Sequence, residues 1–197
     1  MRVKSRKNGP SRGLTVIAQR LARIRKRLRA DQKGSAAIEF ALIAPVFFAM
    51  LMGIVEGGLV YVSQATLQNA VGDMARLVRT GQAQSASMSK AQFRTQLCTK
   101  VSALLDCDTN LQINVQAYTN YGAASFPSPR DKDNKLNASL NNYVIGNACD
   151  VVLVQAFYTR KIWTPGLSWF LVNMADNKSL LSAAAAFRNE PYGAGSC

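Results

Sequence analysis

The sequence predicts an α+β fold. One long N-terminal helix, oily in its first half and amphipathic in its second, leads into a small C-terminal head of helix plus short antiparallel sheet. Three observations predict it. The window Ala36–Val55 is 20 residues with a single charge, Glu39. Directly after it, Leu67, Ala70, Val71, Met74, Leu77 and Val78 keep helical spacing. Further on, Leu111–Tyr118 alternates like a half-buried strand, and Asp150–Thr159 is the most strand-like stretch of the chain.

The chain divides into four parts: a basic leader over residues 1–34, a transmembrane helix over 35–62, an amphipathic extension over 63–81 and an α+β head over 82–197. The net charge of +13 belongs almost entirely to the leader. Residues 1–33 hold 12 Lys/Arg and one acid, Asp31, leaving +11, against +2 for the rest. Gly9, Pro10 and Gly13 predict an irregular stretch over residues 1–13. In residues 14–29, Leu14, Ile17, Leu21, Ile24 and Leu28 recur at helical spacing among six Lys/Arg, a pattern suited to an anionic membrane surface.

At 1.5 Å per residue the window Ala36–Val55 spans roughly 30 Å, the thickness of a bilayer's hydrocarbon. Its small residues, Gly34 to Ala37, precede the oily run, so it does not read as a cleaved secretory signal, whose small residues follow. The basic flank puts residues 1–33 in the cytoplasm and the head on the far side. Helix is expected from Ser35 to Thr80, with a kink at Pro45, a weak point at Gly57–Gly58 and a C-cap at Gly81.

In the head, Lys90–Leu105 is expected as helix, with Phe93, Leu97, Val101 and Leu104 on one side. Residues 119–142, rich in Asn, Ser, Pro, Gly and Asp, read as a long loop, and Leu181–Arg188 as a further strand. Trp163–Met174 carries two Trp and Phe170. Core packing is the expected role of those rings, with an interaction patch as the alternative. Four cysteines, Cys98, Cys107, Cys149 and Cys197, all follow the span, which suits an oxidising compartment and allows three connectivities. Cys98–Cys107 with Cys149–Cys197 is the preferred pairing.

There is no histidine, which removes His-based triads and His metal sites. P-loop and GxSxG motifs are missing too, so the chain does not read as an enzyme, and no cofactor or small-molecule substrate is expected. Asp106, Asp108, Asp131, Asp133 and Asp150 sit where acids cap helices or close turns. Basicity confined to a tail beside a span argues against nucleic-acid binding.

Glu39 lies within the first turns of the span, where a carboxylate costs about 2.5–3.5 kcal/mol on insertion scales and needs a partner. Cleavage after Gly34 would supply one, the α-amino group of Ser35 about one turn away in the same or a neighbouring subunit. Gly34, Ser35, Glu39 and Phe40 at the head of an oily helix resemble the processing signature of type IV prepilins. The stretch GSAAIEFALIAPVFFAMLMGIVEGGLVY is similar to TadE pseudopilins of the tight-adherence (Flp-type) pilus, as is the C-terminal AAAAFRNEPYG. The resemblance implies a pilin-like fold, a prepilin peptidase cutting at Gly34–Ser35, and a single-pass inner-membrane protein with a periplasmic head. The implied partners are other pilins and the pilus assembly platform, and the implied role is that of a minor pilin in surface attachment and biofilm formation. Ser35 departs from the Phe that many type IV pilins carry there, so N-terminal methylation is not part of the expectation.

Overall fold

The computed structural model describes residue 26 and residues 34–164, 166 and 168–192. Apart from Lys26, the helix expected over residues 14–29 lies outside these, as do residues 1–13 and Cys197. Internal contacts divide the chain into two units, Met1–Phe48 and Ala49–Cys197.

Helix α1 runs from Ser35 to Arg79 as one element through Pro45 and Gly57–Gly58. Its large apolar side chains between Ile38 and Val55, among them Phe40, Ile43, Phe47 and Ile54, are exposed. The helix is long and apolar enough to cross a membrane. A second character begins at Glu56. Glu56, Ser63, Leu67, Ala70, Val71, Met74 and Val78 are buried, with Val60 partly buried between them. That 3–4 spacing is one helical stripe. It starts earlier than the amphipathic extension expected from residue 63.

Within the second unit follow α2 (Gln82–Ser85), α3 (Lys90–Val101), α4 (Cys107–Asn110), β1 (Leu111–Tyr118), β2 (Val151–Lys161), α5 (Ser168–Leu171) and β3 (Lys178–Arg188). The three strands form one antiparallel sheet in the order β1-β2-β3. One sheet face carries Ile113, Val115, Val152, Val154, Leu181 and Ala183 into the core formed with Leu67, Val71, Met74 and Val78 of α1 and Phe93, Leu97 and Val101 of α3. The central strand β2 is also buried on its other face at Val151, Leu153 and Phe157, which is why its sequence reads as a continuous apolar run. Asn114 and Gln155 are the polar pair of that face: Asn114 Nδ2 donates to Gln155 Oε1 at 2.9 Å, and Asn142 N–H donates to Asn114 Oδ1. Both buried amides are thereby partnered across the β1–β2 ladder.

Local chemistry sets the ends. Gly81 follows α1 with φ +76°, a left-handed conformation. Ser89 caps α3 in a reciprocal capping box with Gln92. The expected helix through Leu105 stops at Val101, where Leu104 N–H bonds to Val101 O three residues back and tightens the chain into a turn. That turn buries Leu105 and leaves Leu104 outside, reversing the expected face. Strands β2 and β3 extend beyond their expected spans, Asp150–Thr159 and Leu181–Arg188, to Lys161 and back to Lys178.

The expected core role is corrected for Trp163 and Phe170. Trp163 is 74% exposed and Phe170 71% exposed. The pleat of β2 continues past its end, so Ile162 and Thr164 point in and Trp163 points out.

Candidate functional site

At its N-terminal end α1 brings two of the four predicted processing residues together. Ser35 Oγ donates to Glu39 Oε1 at 3.0 Å, one helical turn on. Gly34 and Phe40 are exposed, and the space beside Gly34 is open.

A second acid, Glu56, follows the apolar window directly and is only 6% exposed. Its Oε1 accepts from Trp163 N–H at 2.7 Å and its Oε2 from Thr164 N–H at 2.8 Å. Two charge-assisted bonds to neighbouring amides are the donor set that a buried carboxylate requires. They fasten the end of β2 to α1. Below this clasp Arg160 donates to Ser63 Oγ at 3.0 Å. One turn apart, Gln64 and Gln68 donate to Ser182 O and Ala184 O of β3 at 2.7 and 3.2 Å. Four helix residues rise about 6 Å and two strand residues about 6.8 Å, so the two ladders match closely enough for both bonds. The amides thus occupy carbonyls on the edge strand of the sheet.

The C-terminal segment closes the other end of α1. Arg188 Nε donates to Cys149 O, Asn189 Nδ2 to Ile145 O and Asn147 O, and Glu190 N–H to Arg79 O, with Glu190 and Arg79 also ion-paired at 3.2 Å. Cys98 and Cys107 form a disulfide that ties α3 to the start of α4, as the preferred pairing had it. The second preferred pair involves Cys197, outside the described residues, and Cys149 is not a free thiol. The acids serve turns: Asp106 caps α4, Asp131 accepts from Asp133 and Lys135 N–H, and Asp150 accepts from Asn147 N–H. Among the described residues no three Cys, Asp or Glu side chains converge as a metal would need.

A family model described as TadE-like protein matches residues 34–76. Over those residues the long helix is similar to TadE-like proteins. The match opens on Gly34 and includes Ser35, Glu39, Phe40, Glu56, Gln64 and Gln68, so it covers the four residues expected to direct processing and most of the stripe that carries the head. No curated protein and no solved structure matches the chain.

Two of the three acids on this helix, Glu39 and Glu56, stand at the two ends of its apolar window, the third being Asp73 in an exposed ion pair with Lys100, and sequence reasoning singled out only Glu39. The signal for Glu56 was its spacing: 56, 60, 63 and 67 continue the 4,3,4 pattern of the amphipathic half backward into the oily half. Gln64 and Gln68 gave no comparable signal, since an i, i+4 pair of amides is common on solvated helix faces.

Proposed function

We propose that this chain is a minor pilin of the tight-adherence pilus, a structural subunit rather than a catalyst. A prepilin peptidase cuts it between Gly34 and Ser35, and it waits in the bacterial inner membrane, head in the periplasm, before joining other pilins on the assembly platform. The observation that carries this reading is the Ser35–Glu39 contact at the start of a TadE-like, membrane-length helix. Cleavage after Gly34 converts Ser35 N from an amide to an ammonium on a residue whose side chain already reaches Glu39. An ammonium within reach neutralises the acid in a low-dielectric layer, where an unpaired carboxylate is costly. The same ammonium, offered to Glu39 of a neighbouring helix, sets axial register between packed rods.

The test is the intact mass of membrane-extracted protein from cells with and without the prepilin peptidase. The expected result is a chain starting at Ser35 in the first case and an uncut leader in the second. Gly34→Asp should also retain the leader. If the leader persists in wild-type cells, the protein is a permanent single-pass scaffold with an extracytoplasmic domain.

A further inference from the structure

Trp163, 74% exposed, occupies a defined position. Its own N–H and that of Thr164 are held by Glu56, which is the first residue after the apolar window Ala36–Val55. The exposed indole is therefore fixed within about one side-chain length of the point where the helix leaves hydrocarbon. Lys161 Nζ sits 4.9 Å from the centre of the indole in a cation–π contact. Arg160, Lys161, Lys178 and Trp163 line one cleft of about 310 Å³. Asp106 also lines it, but its carboxylate is turned to capping α4 by accepting from Asp108 N–H. The cleft is thus cationic and aromatic, and it lies where a span ends.

We propose that this cleft is a docking surface for the bilayer leaflet from which α1 emerges. Trp163 enters the headgroup zone, and Lys161 and Lys178 pair with phosphates of anionic lipids. Indole rings favour this zone because the ring is apolar and its N–H finds a partner there. Lysine stems lie along the apolar boundary while their ammonium groups remain among phosphates. The head is thereby held against the membrane by two contacts, the helix and the cleft, and pulling the subunit into a filament must release the second. The inference rests on α1 being a membrane span.

The experiment uses the full chain carrying Trp169→Phe, which leaves Trp163 as the only tryptophan, in nanodiscs of phosphatidylcholine with and without phosphatidylglycerol. Lipids brominated near the headgroup should reduce Trp163 emission by roughly half, and lipids brominated at the chain ends should reduce it much less. Adding phosphatidylglycerol should strengthen the quenching, and Lys161→Glu with Lys178→Glu should abolish that gain while Trp163 stays in place. Incorporation into nanodiscs with Trp163 fully open to aqueous acrylamide and unquenched by shallow bromine overturns the docking surface and leaves the span standing. So does an indole shielded from acrylamide yet untouched by bromine, which would mean that protein covers it. A chain that does not enter nanodiscs overturns span and docking surface together.

Discussion

The ring of Tyr192 lies where a side chain at position 81 would have to be: a Cβ built on Gly81 would come within 2.6 Å of two of its ring carbons. Gly81 also holds φ +76° as α1 ends. Two independent reasons for glycine therefore coincide, a backbone conformation and an aromatic plug from the C-terminal segment. Gly81→Ala should destabilise the head by about 1–3 kcal/mol, from left-handed strain plus displacement of the ring. In a Tyr192→Ala background the cost should fall to about 1 kcal/mol, the conformational part alone. Urea unfolding of the four proteins in detergent measures the difference, and equal costs in both backgrounds would remove the steric part of the account.

The clasp at Glu56 predicts a graded response. Glu56→Ala leaves Trp163 and Thr164 N–H without their acceptor, and buried unpaired donors cost about 1–3 kcal/mol each. Glu56→Gln keeps one carbonyl acceptor and presents an N–H₂ where the other donor arrives, so it should fall between Ala and the wild type. Hydrogen exchange reads this locally. Amides 162–164 should exchange faster in the order wild type, Gln, Ala, while those of β1 in the sheet interior change little. Uniform acceleration throughout the head would instead mean that Glu56 supports the whole fold.

How much of this was legible in the sequence follows from which forces leave periodic traces. β1 was read with its observed limits, Leu111–Tyr118, because its apolar residues Leu111, Ile113, Val115 and Ala117 alternate with polar ones, even though Asn114 on the other face is buried as well. Glu39 stood out because it is a charge in an otherwise uncharged window, and the structure places it one turn from Ser35. The end of α3 was missed by four residues, since Leu104 and Leu105 satisfy a helical pattern equally well and a turn onto Val101 O chooses between them. The exposure of Trp163 was missed because composition says that a ring is apolar, and only the continued pleat after Lys161 says which way it points. The clasp itself joins residues 107 positions apart. Side chain-to-backbone bonds of that range depend on tertiary placement and leave no spacing signal in either partner.

The two glutamine bonds to β3 predict a contrast between stability and association. Gln64→Leu with Gln68→Leu removes two ordinary hydrogen bonds, worth about 0.5–1.5 kcal/mol each, and adds apolar area to a partly exposed helix face. The loss of unfolding free energy should be modest, about 1–3 kcal/mol. The edge carbonyls of Ser182 and Ala184 then become free to pair with another chain. Self-association of the variant in detergent, followed by sedimentation, should exceed that of the wild type at equal concentration. A variant that loses stability but stays as dispersed as the wild type would show that other features protect this edge.

Tyr143 predicts the alkaline limit of the head. Its hydroxyl donates to Met88 O at 2.9 Å, and its ring meets Phe93 edge-on at 5.5 Å between centres. Burial pushes the phenol above its ordinary value, because the phenolate would lose hydration without gaining a donor. The folded state therefore holds its proton longer than the unfolded chain does. The sign follows from linkage: the contribution is complete below the unfolded value of about 10, and it declines as pH rises through that value toward the folded one. Tyr143→Phe keeps the ring contact and loses the hydroxyl bond, so it should cost about 1 kcal/mol at neutral pH. Between pH 9 and 11 the wild type should lose stability faster than the variant, and the two urea midpoints should converge. Every other ionisable group is common to the two proteins, so the difference between the curves isolates the Tyr143 phenol. Parallel curves across that range would show that Tyr143 ionises as freely in the folded head as in the unfolded chain.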